Sequence, residues 1–287
     1  MKKRGQTIQF SWVFAIIAGA VILALFTGFA VKYKELQQER SEVEVLKNLD
    51  NILFSLQASS LQTTNELFIP INSDFNCNEI IVNDKSIKSD NLALSPTEFQ
   101  GQSIIWYQPW KSPFRINNFY YIIPKDFKFY LVYNDATEKN VNYIIEKIPA
   151  ALKNNFIKTR QPANADGKSI YFTNAKNDFQ IIPISDEKGK IIINNKEFTY
   201  DNFELLMAAI FSQDLVDYNC AREKALTSYG NIAFVYKQKA LHLASKNPQC
   251  SYNSIIALLS KPYTVEDSDI LLNNNKFLLG QGCIEVF

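Results

Sequence analysis

The sequence predicts an α+β protein in which a long N-terminal helix carries a head, β-rich in its first half and helical in its second. Three observations predict this. The stretch from Phe10 to Val31 holds no charge over 22 residues. From Lys32 to about Gln62 there is no Pro or Gly, and leucines recur at helical spacing. After that, runs of β-branched and aromatic residues broken by prolines give way, from Asp201, to long helical patterns. The chain divides accordingly into a basic leader (1–9), an apolar helix (10–31), an amphipathic stalk (32–66), a β-rich part of the head (67–200) and a helical part (201–287).

The apolar stretch at ~1.5 Å rise per residue spans roughly 33 Å, which matches a hydrocarbon core of ~30 Å. It is too long for the h-region of a cleaved secretory signal, and Lys32-Tyr33-Lys34 is not a small-residue cleavage site. Lys2, Lys3 and Arg4 precede it without an acid. Positive flanks stay cytoplasmic, so the expected topology is single-pass, with residues from about 32 onward outside the cell membrane. Ala20, Ala24 and Gly28 lie four apart on one side of this helix, and small residues let helices approach closely in lipid. They are candidate helix-packing residues.

In the stalk, Leu36, Val43, Leu46, Leu49, Leu53 and Leu56 recur at spacings of three, four and seven, with charges between them. That is a one-faced helix continuing the apolar one. Its stripe needs cover, from the chain's own head or from a neighbouring subunit. Ser59-Ser60 and Thr63-Thr64-Asn65 end it.

In the head, Leu67–Ile71, Glu79–Val82, Ser103–Trp106, Tyr120–Ile123 and Phe127–Tyr133 read as strands. Asp135 and Glu138 have capping-box spacing ahead of a short helix ending at Pro149. Residues 158–168 read as a loop, Ser169–Phe172 and Phe179–Ile184 as strands, and Lys190–Tyr200 as a hairpin turning at Asn194-Asn195. Asp201 and Glu204 repeat the capping spacing before the apolar run Phe203–Phe211. A helix follows from Asp214 to Ser245, then a short one over Tyr252–Ser260, then one capped by Thr264 and Asp267 that runs to about Leu272.

Cys77, Cys220, Cys250 and Cys283 all fall on the outer side. None forms a C-x-x-C pair, so two disulfides are expected rather than a zinc site. If 214–246 is one straight helix, Cys220 and Cys250 stand on the order of 40 Å apart. A disulfide needs Cα atoms within ~7 Å. This favours Cys77–Cys220 with Cys250–Cys283; a break at Gly230 would reopen the alternative.

Candidate chemistry is sparse. The chain carries 30 basic and 29 acidic residues with no basic stripe after Arg4, so no nucleic-acid partner is expected. His242 is the single histidine, flanked by leucines, with no orienting acid or nucleophile nearby in sequence. Asp267-Ser268-Asp269 reads as the acidic first turn of a helix rather than a cation loop. No phosphate-loop, nucleophile-elbow or zincin motif occurs. No enzyme activity, cofactor or metal is expected. The segment Trp106–Arg115 sets aromatics between prolines. Such a stretch should not form a regular central strand. Trp106, Tyr107, Trp110 and Phe114 either fold over the core or form an exposed partner-binding edge.

Lys3-Arg4-Gly5-Gln6 followed by the apolar helix resembles the class III signal peptide of archaeal type IV pilin-like proteins, over about the first 30 residues. The resemblance implies cleavage between Gly5 and Gln6 by a membrane-embedded prepilin-type peptidase, with the apolar helix kept on the mature chain. Where the family often has Ser and Glu, this chain has Ile8 and Phe10. The function expected from the resemblance and the continuous helix is a membrane-anchored, extracytoplasmic structural subunit. It would be a minor or tip subunit, or a component of a surface complex, serving assembly or adhesion. Its partners would be the membrane and like or related membrane-helix subunits. The alternative is a non-polymerising single-pass ectodomain that binds a partner through its aromatic segment.

Overall fold

The computed structural model describes residues 6–57, 62–83, 85–89, 91–161, 167–173, 179–193 and 195–287, with side chains from Trp12 onward. Gly5 lies outside the described residues, as do Ser59, Ser60 and the side chains of Gln6, Ile8 and Phe10.

The fold is α+β. It begins with α1 (Gln6–Gln57), an unbroken helix of 52 residues, about 78 Å long at ~1.5 Å per residue. The first sheet follows: β1 (Thr63–Phe75), β2 (Glu79–Val82), β3 (Lys85–Lys88), β4 (Leu92–Leu94), β5 (Phe99–Lys111) and β6 (Arg115–Pro124), in the order β3-β2-β1-β5-β6-β4. Its pairs are antiparallel except β4, which runs parallel to β6.

The second sheet contains β7 (Phe129–Val132), β8 (Phe156–Thr159), β9 (Lys168–Tyr171), β10 (Phe179–Pro183), β11 (Gly189–Ile193) and β12 (Lys196–Tyr200), in the order β12-β11-β10-β9-β7-β8. The helix α2 (Glu138–Lys147) connects β7 to its parallel neighbour β8. The chain ends in α3 (Phe203–Phe211), α4 (Leu215–Lys246), α5 (Asn253–Leu258) and α6 (Val265–Gly280).

The strands β5 and β6 are buried on both faces, which explains their nearly continuous apolar stretches, whereas β1 and β3 keep exposed positions. Successive residues of a strand point to opposite faces. On β5, Ile105 and Tyr107 face α1, joined by Tyr120 and Ile122 of β6 and Ile69 of β1. They pack against Leu46, Leu49, Leu53 and Leu56. The stripe from Leu46 to Leu56 is therefore covered by the chain's own head, whereas Leu36 and Val43 stay exposed. Ile104, Trp106 and Trp110 face the other way, into a larger core built with Phe119 and Tyr121, α3, α4 and the second sheet. The helix α3 is apolar on every side and is buried on every side but Glu204, against β6, β12 and α4.

Several expectations are corrected. The stalk helix is described to Gln57, and Thr63-Thr64, expected in the stalk, begin β1, paired with Tyr107 and Trp106. β-Branched threonine suits a strand once a partner strand is present. Trp106–Trp110 runs as regular strand through Pro109, and the pairing with β6 shifts only between Trp110 and Lys111. The last pair with β1 is Thr63 with Tyr107, so Pro109 lies beyond that strand and its missing N–H breaks no ladder bond there.

The caps also shift. The cap residue of α2 is Thr137, held through Asn134, while Asp135 pairs with Arg160 at 2.8 Å. Asn202, not Asp201, caps α3, accepting from Leu205 N at 2.7 Å. Thr264 caps α6, as its spacing to Asp267 predicts, and Asp214 caps α4, accepting from Asp217 N at 2.9 Å. The final helix runs past Leu272 to Gly280 because Leu271, Asn275 and Leu278 share its buried face. Asn275 then pins the C-terminus, accepting from Val286 N at 2.7 Å and donating to Phe287 O at 2.8 Å. Residues 158 and 159 belong to β8 and Lys168 to β9, so the loop expected across them is shorter.

Candidate functional site

The element that sets this chain apart is α1, and its two halves have different surroundings. From Trp12 to Ser41 its described side chains are exposed apart from half-buried Ala18. One helix among the described residues is long and apolar enough to cross a membrane, with a mean hydropathy of 2.5 over its best window, none of it buried by the rest of the chain. Trp12, Phe14, Leu23, Phe26 and Phe29 all stand out from it. Ala20, Ala24 and Gly28 share this uncovered stretch, and a Cβ added at Gly28 would meet nothing within 4 Å.

Cover begins at Glu42, which is 4% exposed. Its Oε1 accepts from Asn83 Nδ2 at 3.0 Å and from Gln38 Nε2 at 3.2 Å. Asn83 sits at positive φ (48°) in the β2–β3 turn, a conformation asparagine tolerates. Lys85 adds an ion pair to Glu39 at 3.4 Å. At the other end, Arg115 of β6 donates to Gln57 O at 2.8 Å. It places a cation where the helix dipole is negative, on a helix with no basic residue in its own last turn. Arg115 also donates to Tyr107 and Asn118. The docked stretch is thus clamped at both ends, with the leucine stripe between. The eleven helical steps from Val31 to Glu42 make a gap of about 16 Å between the apolar run and the head.

The aromatic segment is not a surface. Trp106, Tyr107 and Trp110 are fully buried and Phe114 nearly so. Trp106 packs on Tyr121, Phe203 and Phe211, and Trp110 on Phe119 and Tyr263. Phe114 stacks on Tyr229 and touches Tyr236 and Phe287. The expectation of a partner-binding edge at these four residues is corrected: β5 and β6 turn them inward on both faces. His242 is exposed on α4. Asp267 lies in the first turn of α6, paired with Lys261 at 3.3 Å.

The four cysteines form Cys77–Cys220, with Cα atoms 5.9 Å apart, and Cys250–Cys283, at 6.1 Å. The first ties the β1–β2 turn to α4; the second ties the segment after α4 to the C-terminus.

Beside Cys77–Cys220 lies a cavity of about 340 Å³ lined by Asp74, Glu79, Asp214 and Asp217, with Asn76, Asn78 and Gln213. Asp217 is 8% exposed. Its Oδ1 accepts from Cys77 N at 2.6 Å, while Oδ2 is buried without a hydrogen-bond partner. Burial pushes the Asp217 carboxyl up to about 6, the charges of Asp214 and Asp74 push the same way, and the main-chain N–H groups of Cys77 and Gln213 oppose them. Asp74 is also raised, chiefly by burial. Behind this ring, the Lys168 ammonium donates to Ile210 O at 3.0 Å and to Ser212 O, closing the C-terminal end of α3. Burial lowers it to about 7.

Sequence reasoning missed this acidic ring and the Glu42 and Arg115 clamps. The one available signal was the alternation Asp74-x-Asn76-x-Asn78. Comparison of the chain with protein-family models, with curated proteins and with solved structures returns no match in any of the three.

Proposed function

We propose that the chain is a membrane-anchored, extracytoplasmic, pilin-like structural subunit, acting as a minor or tip subunit or as part of a surface complex. One observation carries this: a single uninterrupted helix whose apolar N-terminal part is uncovered and whose last turns, from Glu42 onward, are docked on a mostly antiparallel sheet of its own head. An exposed apolar helix of this length needs lipid or other helices around it. The head already covers Leu46, Leu49, Leu53 and Leu56, so the apolar surface that α1 leaves for neighbours lies in the anchor, with Ala20, Ala24 and Gly28, and in Leu36 and Val43 just beyond it.

The basic leader faces the cytoplasm and the head faces outside, where an oxidising environment suits two disulfides. A prepilin-type peptidase cuts between Gly5 and Gln6. The protein works by anchoring and assembly rather than by catalysis. The competing reading, a monomeric ectodomain binding through its aromatic segment, loses its surface to the burial of Trp106 and Trp110.

The test is cysteine crosslinking in native membranes with Ala20→Cys and Ala24→Cys. Crosslinked oligomers are expected, and their absence overturns the assembly reading. Intact mass of the native protein separates the processing step: a chain starting at Gln6 supports it, and one starting at Met1 leaves a plain signal anchor.

A further inference from the structure

The strand β1 is paired along its inner edge and open along much of its outer one. On the inner side, Thr63 to Ile69 pair without interruption with Tyr107 to Gly101 of β5. On the outer side, β2 takes up only Ser73–Phe75. The pairing parity decides which main-chain groups this leaves free. Lys125 N donates to Gln102 O at 2.9 Å, so Gln102 turns its main chain toward β6. Residues of an antiparallel strand turn their main-chain groups alternately to one neighbour and the other. Gly101, Ser103, Ile105 and Tyr107 therefore bond Ile69, Leu67, Asn65 and Thr63. The N–H and C=O groups of Thr64, Glu66 and Phe68 point outward, and among the described residues no strand pairs with them. Pro70, which has no N–H, and the register shift between Ile69 and Ser73 close this edge before β2 begins.

The strands at the ends of the two sheets are differently made. β4 has three residues, β3 and β8 four each, and β12 five. Lys85 and Lys88 stand on β3, Lys158 on β8 and Lys196 on β12. Short length and lysine are devices that keep an edge from pairing. The open stretch of β1 is longer, and from Thr63 to Ile69 its single charge is Glu66. Its side chains are unfinished on both faces. On the α1 side, Ile105 and Tyr107 are buried while Leu67 is half-buried, so cover thins toward the outer edge. On the opposite face Phe68 is 65% exposed.

We propose that this edge docks an extended segment of another protein, added as a further strand beside Thr64–Phe68. In such strand addition the main-chain hydrogen bonds supply affinity and alternate side chains supply specificity. The edge sets the chemistry of the segment. It carries free main-chain donors and acceptors at every second residue, apolar side chains on the α1 side to continue the cover of Leu67, and no acid opposite Glu66. A second copy is the poorer occupant. Two chains anchored in one membrane would run their β1 strands in the same direction, and a two-fold axis along the strands would set N–H against N–H.

The full chain in detergent is titrated against a fluorescent probe peptide that alternates valine and threonine between terminal lysines, read by anisotropy. A fully N-methylated copy keeps the side chains and loses the donors. One site is expected, with binding at least about tenfold weaker for the N-methylated copy. Glu66→Pro removes an outward N–H; it should leave Tm near the native value and weaken the probe at least about tenfold. Thr64→Pro, at a second outward position, should do the same. Leu67→Pro removes an N–H bonded to β5 and should lower Tm sharply. No binding by the native chain, undiminished binding of the N-methylated probe, or undiminished binding to both outward proline variants overturns the proposal. So does a fall in Tm in both of them as large as in Leu67→Pro, which would mean that the outward N–H groups are already bonded. A dimer of the native chain that Glu66→Pro dissociates also overturns it, in favour of a second copy.

Discussion

Adjacent residues on α1 test whether its second half belongs to the head. Leu53 is 1% exposed, packed among the sheet residues facing the helix, whereas Phe54 is 72% exposed. Leu53→Ala removes buried carbon and leaves a cavity between α1 and the first sheet. Such changes cost 2–5 kcal/mol, and a site closed at both ends by Glu42–Asn83 and Arg115–Gln57 has little freedom to collapse, so about 3 kcal/mol is expected. For a head of this size that is a fall in Tm of about 6–12 °C. Phe54→Ala removes a larger side chain from the exposed side of the helix and should stay within about 0.5 kcal/mol. Alanine favours a helix at both positions, so helix propensity does not confound the comparison. The assay is thermal unfolding in detergent, read by near-UV circular dichroism, which reports the packed rings of Trp106 and Trp110. Equal Tm values for Leu53→Ala and the native protein would refute the docking of α1 on its own head and return the leucine stripe to a neighbouring subunit.

Other perturbations have equally definite outcomes. Cys77–Cys220 closes a loop of 143 residues and Cys250–Cys283 one of 33, so loop entropy assigns them about 5 and about 4 kcal/mol. Urea midpoints of the two double-serine variants should fall in that order, and the reverse order would contradict the entropic account. Trp106→Ala should cost about 3–5 kcal/mol and erase the near-UV signal, whereas a surface residue would leave the fold intact. Lys168 is held down to about 7 in the fold, from an ordinary 10.5. Between those values the unfolded chain binds a proton that the folded chain does not, so this residue makes stability rise with pH from about 7 toward 10. Lys168→Met should flatten that rise in a series of denaturation curves, and an unchanged slope would show that Lys168 is not its source.

Much of this architecture was readable from local pattern. A helix that is apolar all round and then one-faced is visible in the spacing of its leucines, because period and solvent exposure are local properties. The hairpin at Asn195, the cap Thr264 and the length of α4 follow from local chemistry in the same way. The rise of α4 alone made Cys77–Cys220 and Cys250–Cys283 the favoured pairing.

What the pattern could not decide was which of two possible partners covers a face. The stalk stripe could meet its own head or a neighbour, and Trp106–Phe114 could face solvent or core. Both questions depend on strands far apart in sequence. Pro109 is tolerated because β1 ends its pairing at Thr63, and the aromatic rings are buried because β5 and β6 are covered on both faces. The acidic cavity likewise joins residues 74–79 to residues 213–220. Charge placed by tertiary contact leaves little trace in either segment, and only the folded chain brings the four carboxylates around one cavity.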